Sequence, residues 1–196
     1  MKNILTASIV ALFLLSSCGK EVNSPEIQKI DFNKASKVLM DSIRPVIRGS
    51  WKIKTLILKP KNFYANPNDQ ANDTVLYNFG DLHLNHVNSE GYYEKNNDVT
   101  GNLYFNNKVH AVGFKMHAQS SRITEKKGPQ AFALFEFRVA EGTPLPSIRP
   151  TTPEESYLTE IGLINDNFYI EISKDGKSMT WTGMNHRIRS VYFEKE

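Results

Sequence analysis

The stretch Asn167-Phe168-Tyr169-Ile170-Glu171-Ile172-Ser173 decides the fold class. Successive residues of an extended chain point to opposite faces. Phe168, Ile170 and Ile172 therefore share one side, with Asn167, Glu171 and Ser173 on the other. Residues 131–139 read the same way: Ala133, Phe135, Phe137 and Val139 oppose Glu136 and Arg138. Both stretches predict strands with one buried face. Working outward, similar short runs recur at 50–58, 74–79, 82–87, 91–95, 100–106, 109–118, 157–164, 178–183 and 186–194. The pairs Asn106-Asn107, Asp166-Asn167 and Asp175-Gly176 supply turn residues between them. No long helical period separates the runs, so crossover connections and a parallel sheet are not expected. About nine or ten antiparallel strands suit a barrel or a sandwich.

Upstream of the strands, Asp31 or Asn33 is placed to cap a short helix over about 33–43. Val38, Leu39 and Ile43 give it a one-sided apolar stripe, and Pro45 and Gly49 are expected to end it. Two long irregular stretches interrupt the strands. Residues 59–73 hold Pro60 and Pro67, and residues 140–155 hold Pro144, Pro146, Pro150 and Pro153. Loops of that length in a small domain are often lids or binding loops.

The chain has 196 residues, room for one domain of ordinary size. Its 24 lysines and arginines exceed 21 acidic residues by three, which makes no case for nucleic-acid binding. The single cysteine excludes an intramolecular disulfide and any multi-cysteine metal site.

That cysteine has a telling position. Lys2 is followed by an apolar run from Ile4 to Leu15, then by Ser16, Ser17 and Cys18. A positive start, an apolar stretch and small residues are the three parts of an export signal. The run is short of the ~20 residues that span a bilayer. Leu15-Ser16-Ser17-Cys18 resembles the lipobox of bacterial lipoproteins. The resemblance implies removal of residues 1–17, a lipid thioether on Cys18, and a tether over 18–30 that ties residues 31–196 to a membrane. It places the protein in the bacterial cell envelope, at the outer membrane, facing the periplasm or the cell surface.

Arg48-Gly49-Ser50-Trp51-Lys52-Ile53 opens the first strand directly after the helix. Gly-x-Trp in that place resembles the lipocalin and calycin families, in particular the lipocalin-like domains of bacterial lipoproteins. The last run, His186 to Lys195, also looks like the final strand of fatty-acid-binding proteins. The resemblance implies an all-β, antiparallel up-and-down barrel of about eight to ten strands, led by a short helix. It implies that Gly49 and Trp51 mark the closed end and that Arg189 covers the indole. Loops 59–73 and 140–155 would form the mouth. A hollow barrel would bind a small apolar or amphipathic ligand, with the aromatics Phe135 and Phe137 facing it and Arg187 meeting a ligand carboxylate. A filled barrel would instead be a non-catalytic envelope domain whose loops contact a protein or glycan partner.

Catalytic and metal chemistry find little support. No Gly-x-Ser-x-Gly elbow, phosphate loop or catalytic cysteine is present. His83 and His86, three apart on a strand, face opposite sides, and so do His110 and His117. No metal site, cofactor or enzyme activity is therefore expected. Glu154-Glu155 reads as a solvated turn. Asp41-Ser42-Ile43 and Asp73-Thr74-Val75 resemble a short O-glycosylation pattern of envelope proteins of anaerobic gut-type bacteria.

Overall fold

The computed structural model describes residues 29–61, 72–86, 99–138 and 152–196. Cys18, the export segment, the expected strand at 91–95 and most of the two long loops lie outside the described residues. Residues 31–196 form one compact unit.

A helix, α1 (Phe32–Ile47), precedes strand β1 (Gly49–Leu58). There follow β2 (Thr74–His86), β3 (Val99–Phe105), β4 (Lys108–Phe114), β5 (Met116–Ala118) and the one-turn helix α2 (Ser120–Glu125). The chain continues through β6 (Ala131–Phe137), α3 (Pro153–Glu160), β7 (Asp166–Ile172), β8 (Ser178–Gly183) and β9 (Ile188–Lys195). All pairings are antiparallel: β1 to β4 pair in sequence order, β5 to β9 pair in sequence order, and β1 pairs with β9. β4 and β5 are one wall interrupted at Lys115. Val112 of β4 faces Phe137 and Met116 of β5 faces Ala133, both on β6. That pairing closes the ring into an eight-walled up-and-down barrel. Closure removes the free edges that an open sheet would expose.

Alternation sends Phe168, Ile170 and Ile172 inward, as the sequence predicts, together with Ala133 and Phe135 of β6. Asn106 and Asn107 both take positive φ, 51° and 59°, the two-residue hairpin turn their side chains tolerate. Asp175-Gly176 likewise turns β7 into β8, with Gly176 at φ 70°. Asp166-Asn167, by contrast, opens β7 instead of turning the chain.

Three elements differ from expectation. The leading helix continues through Pro45 to Ile47. Proline here removes only one hydrogen bond of the last turn. Burial of Met40, Ile43 and Ile47 holds that turn on the barrel, and Asp31 is the cap, accepting from the Lys34 amide at 3.0 Å. Runs 74–79 and 82–87 are one strand, β2. Gly80 is not a turn residue: a Cβ there would lie 2.4 Å from the Tyr104 carbonyl of β3. Between Ile53 and Thr55 of β1 the pairing on β2 advances from Gly80 to Tyr77, an extra residue at the bulge where Asn78 takes φ 49°. Finally, run 157–164 is no strand. It overlaps α3, whose cap Thr152 and Glu155 bond reciprocally across the first turn. Glu154 and Glu155 accordingly sit in a helical turn instead of a loop.

The α1 end of the barrel carries the start of β1, the α2 segment and the β7–β8 turn. The α3 end carries the β3–β4 and β8–β9 turns.

Candidate functional site

The middle of the barrel is occupied. Trp181 of β8 is fully buried, and its ring lies 4.8 Å from Phe193 of β9, 5.0 Å from Phe135 of β6 and 5.5 Å from Phe168 of β7. It also meets Phe114 of β4 edge-on at 5.5 Å. β4 stands three places from β8 in a ring of eight, so the indole reaches most of the way across. Edge-to-face rings at these distances attract beyond their buried area. Phe135, a candidate ligand contact, belongs to this cluster.

At the α1 end, Trp51 is fully buried and its indole N–H donates to the Ile47 carbonyl at 2.8 Å. The cation over its ring is Lys195, with Nζ 5.0 Å from the centroid and a hydrogen bond to the Val46 carbonyl at 2.8 Å. Arg189 does not cover the indole. It lies at the other end of β9, where Nε and Nη2 reach the Asp73 carboxylate at 2.5 and 3.0 Å. A register shift explains its direction. Ile57 and Leu58 of β1 face Ser190 and Ile188, which leaves Arg189 in a bulge pointing out. The ion pair raises the Arg189 pKa, chiefly through the hydrogen bonds its guanidinium donates to the Asp73 carboxylate. Gly49, at φ 115°, takes a conformation that only glycine adopts without strain, and turns the helix into β1.

At the α3 end, the helix lies across the mouth. Near its start, Glu154 pairs with Lys108 of β4 at 2.8 Å, and Tyr157 stacks on Phe105 of β3 at 5.8 Å. The Lys108 hydrogen bond holds the Glu154 carboxyl below the usual carboxylate range. Just past its other end, Gly162 presses on the β8–β9 turn: a Cβ there would lie 2.4 Å from His186 Cβ. Those strands stand on nearly opposite sides of the ring. At 1.5 Å per residue, α3 is about 12 Å long, enough to straddle it. Leu158, Ile161, Leu163 and Ile164 are buried beneath.

Polar groups also gather at this end. His110 faces inward from β4, buried, 3.6 Å from Glu155 and 5.9 Å from the half-buried Phe137. His110 Nε2, Thr159 Oγ1 and Arg187 Nε are buried without a hydrogen-bond partner among the described residues. Phe137 and Arg187 thus fall at the mouth, while Phe135 falls in the packed middle.

Asp166 is marked by the sequence only as a turn residue. It is fully buried, and its carboxylate accepts from the backbone amides of Asn167 (2.6 Å), Asn185 (3.2 Å) and His186 (2.9 Å). It ties the β8–β9 turn to the start of β7. An amide oxygen can serve fewer of these donors and carries no charge, so Asp166→Asn is expected to cost ~1–3 kcal/mol in denaturant unfolding. A change below ~0.5 kcal/mol would show that the turn does not depend on the carboxylate.

Among the described residues no three His, Cys, Asp or Glu side chains cluster as metal ligands. His83 leans on Tyr104 at 4.6 Å, and His117 stacks outside on Phe132 at 5.2 Å. Of the two glycosylation-like tripeptides, Asp73 is engaged by Arg189 while Thr74 is exposed. Ser42 lies on α1 and donates to the Leu39 carbonyl. No protein-family model matches the chain, and neither a curated protein nor a solved structure matches it significantly.

Proposed function

We propose that this chain is a lipid-anchored lipoprotein of the bacterial envelope whose barrel is a packed, non-catalytic scaffold. Its outer surfaces and loops, not its interior, meet a partner such as a protein, a glycan or a lipid. One observation carries the scaffold reading: Trp181 and its four aromatic neighbours occupy the middle of the barrel. The anchor rests on the signal layout that ends at Cys18.

A second reading keeps a small apolar or amphipathic ligand, held under α3 at the mouth. It is favoured by three buried polar atoms there that lack partners among the described residues, His110 Nε2, Thr159 Oγ1 and Arg187 Nε. Such atoms in a native protein call for water or a ligand.

Native mass spectrometry of the chain lacking Cys18, followed by organic extraction, separates the two readings. The scaffold reading expects the mass of the bare chain. Recovery of a stoichiometric lipid-like species would overturn it in favour of the mouth ligand. The anchor has its own test. Cys18→Ser is expected to move the protein out of the membrane fraction, and unchanged partitioning would overturn it.

A further inference from the structure

Among the described residues, charge is unevenly divided between the two ends of the barrel. Residues 31–48, 115–128, 173–177 and 194–196, at the α1 end, carry eleven lysines and arginines against six side-chain carboxylates. At the α3 end, residues 59–61, 72–73, 106–110, 136–138, 152–166 and 184–189 carry six of each. Ion pairs tie several of the latter together, among them Lys108–Glu154, Lys61–Glu160 and Arg189–Asp73. At the α1 end, Arg122, Lys126, Lys127 and Lys174 have no carboxylate partner among the described residues.

The same end holds a groove of about 320 Å³. One wall is α1, through Leu39, Ile43 and Val46, three positions that share a helix face. The other wall is the end of β7 and the β7–β8 turn, through Ile172 and Lys174. The walls touch where a Cβ on Gly176 would lie 3.0 Å from Val46 Cγ1. Arg122 lines both this groove and a second hollow of about 320 Å³ beside it. Its guanidinium donates to the Lys126 carbonyl, which steadies it and leaves most of its five N–H groups for another acceptor. Gln130 stiffens the wall by bonding both backbone groups of Ile172, at 2.8 and 3.0 Å. The carboxylate at the rim, Asp175, is turned to the Ser173 hydroxyl (2.6 Å) and the Lys177 amide (3.0 Å). Exposed Val38 and Phe32 add apolar surface on α1.

We infer that the α1 end is a docking face for an anionic bilayer, with the groove between α1 and the β7–β8 turn seating one phosphate headgroup on Arg122 and Lys174. Charge complementarity supports the choice. Clustered lysines and arginines are drawn to anionic lipid, and the half-buried Leu39 and Val46 with the exposed Val38 and Phe32 offer apolar contact to the upper acyl carbons. Chain connectivity supports it as well: the segment that begins at Cys18 joins the domain at α1. The inference deepens the anchored reading and rests on it for orientation, since a lipid on Cys18 brings this end to the membrane. One lipid signal and a basic face together hold more firmly than either alone.

The test uses residues 19–196, which keep the compact unit of residues 31–196 and carry no lipid, so it is independent of whether Cys18 is modified. Sedimentation compares vesicles of phosphatidylglycerol and phosphatidylcholine with vesicles of phosphatidylcholine alone. Binding is expected only to the anionic vesicles and is expected to weaken as salt rises. Arg122→Gln with Lys174→Gln should weaken it by roughly thirtyfold, at about fivefold per basic residue near the surface. Lys174→Gln alone, on an exposed turn, should give about fivefold without risk to the fold. Lys61→Gln with Lys108→Gln, at the α3 end, should change it less than twofold, within about 0.4 kcal/mol. Equal losses from both double variants would overturn the inference, as would no preference for anionic vesicles. Binding of a short-chain monomeric phosphatidylglycerol without vesicle binding would also overturn the bilayer assignment.

Discussion

Trp181→Ala is expected to destabilise the barrel by ~3–5 kcal/mol, the cost of truncating a fully buried aromatic. The indole touches rings from four other strands, so no single neighbour can move in to fill its place. Neighbouring strands are held at fixed spacing by the closed ladder, which limits collapse further. For a domain of this size the melting temperature should fall on the order of 10 °C, at roughly 2–4 °C per kcal/mol. The hole left would be apolar, and apolar cavities stay dry and admit small aromatic molecules. Added indole should therefore restore part of the lost stability. A loss below ~1 kcal/mol would mean that the interior is loosely filled, and the scaffold reading would fall with it.

Trp51→Ala is expected to cost about as much, ~3–5 kcal/mol, by a different route. The indole is fully buried at the α1 end and donates to Ile47. Its removal opens a hole beneath α1 and leaves a buried carbonyl without its donor, a further ~1–3 kcal/mol if water cannot reach it. Lys195 loses the ring under its ammonium, a contact of ~0.5–2 kcal/mol. Hydrogen exchange should accelerate across residues 40–47 more than in β6 or β7, because the last turn of α1 rests directly on the indole. Trp51→Phe keeps most of the apolar volume and loses the N–H, so it should fall between wild type and alanine. A change below ~1 kcal/mol for alanine would make Trp51 peripheral.

Much of the fold is legible in the chain because strand alternation is local. Phe168, Ile170 and Ile172 share a face whatever surrounds them, since the backbone period is two. Asn106-Asn107 and Gly176 are legible for the same reason: positive φ is a property of the residue and its turn. The helix α3 was legible too, through Thr152-Pro153-Glu154-Glu155, a capping box with proline at the first position. The β-prone residues Tyr157, Leu158, Thr159 and Ile161 outweigh that signal when they are read alone. Burial of Leu158 and Ile161 across the mouth tips the balance to helix.

The candidate site was less legible. Arg189 and Arg187 fall on the same strand face as Val191 and Phe193 if β9 is regular. One inserted residue reverses that, and a bulge depends on pairing with β1, not on the residues of β9 alone. Lys195 takes the place over Trp51 because β1 and β9 pair Trp51 with Lys195 directly. Asp166 looks like a turn residue because aspartate favours turns. Its three backbone donors come from its own neighbour and from residues nearly twenty positions away. No local pattern encodes that convergence.

Read alone, then, the sequence specifies an antiparallel all-β domain with a leading helix and a tryptophan at the start of the first strand. Those features follow from period, composition and turn chemistry within a few residues. Only the tertiary structure decided that the barrel's middle is filled, that α3 crosses one mouth, and that basic charge gathers at the other end. Each of these depends on side chains meeting across strands far apart in the chain, where closure and register, set by all the pairings together, determine which residues become neighbours.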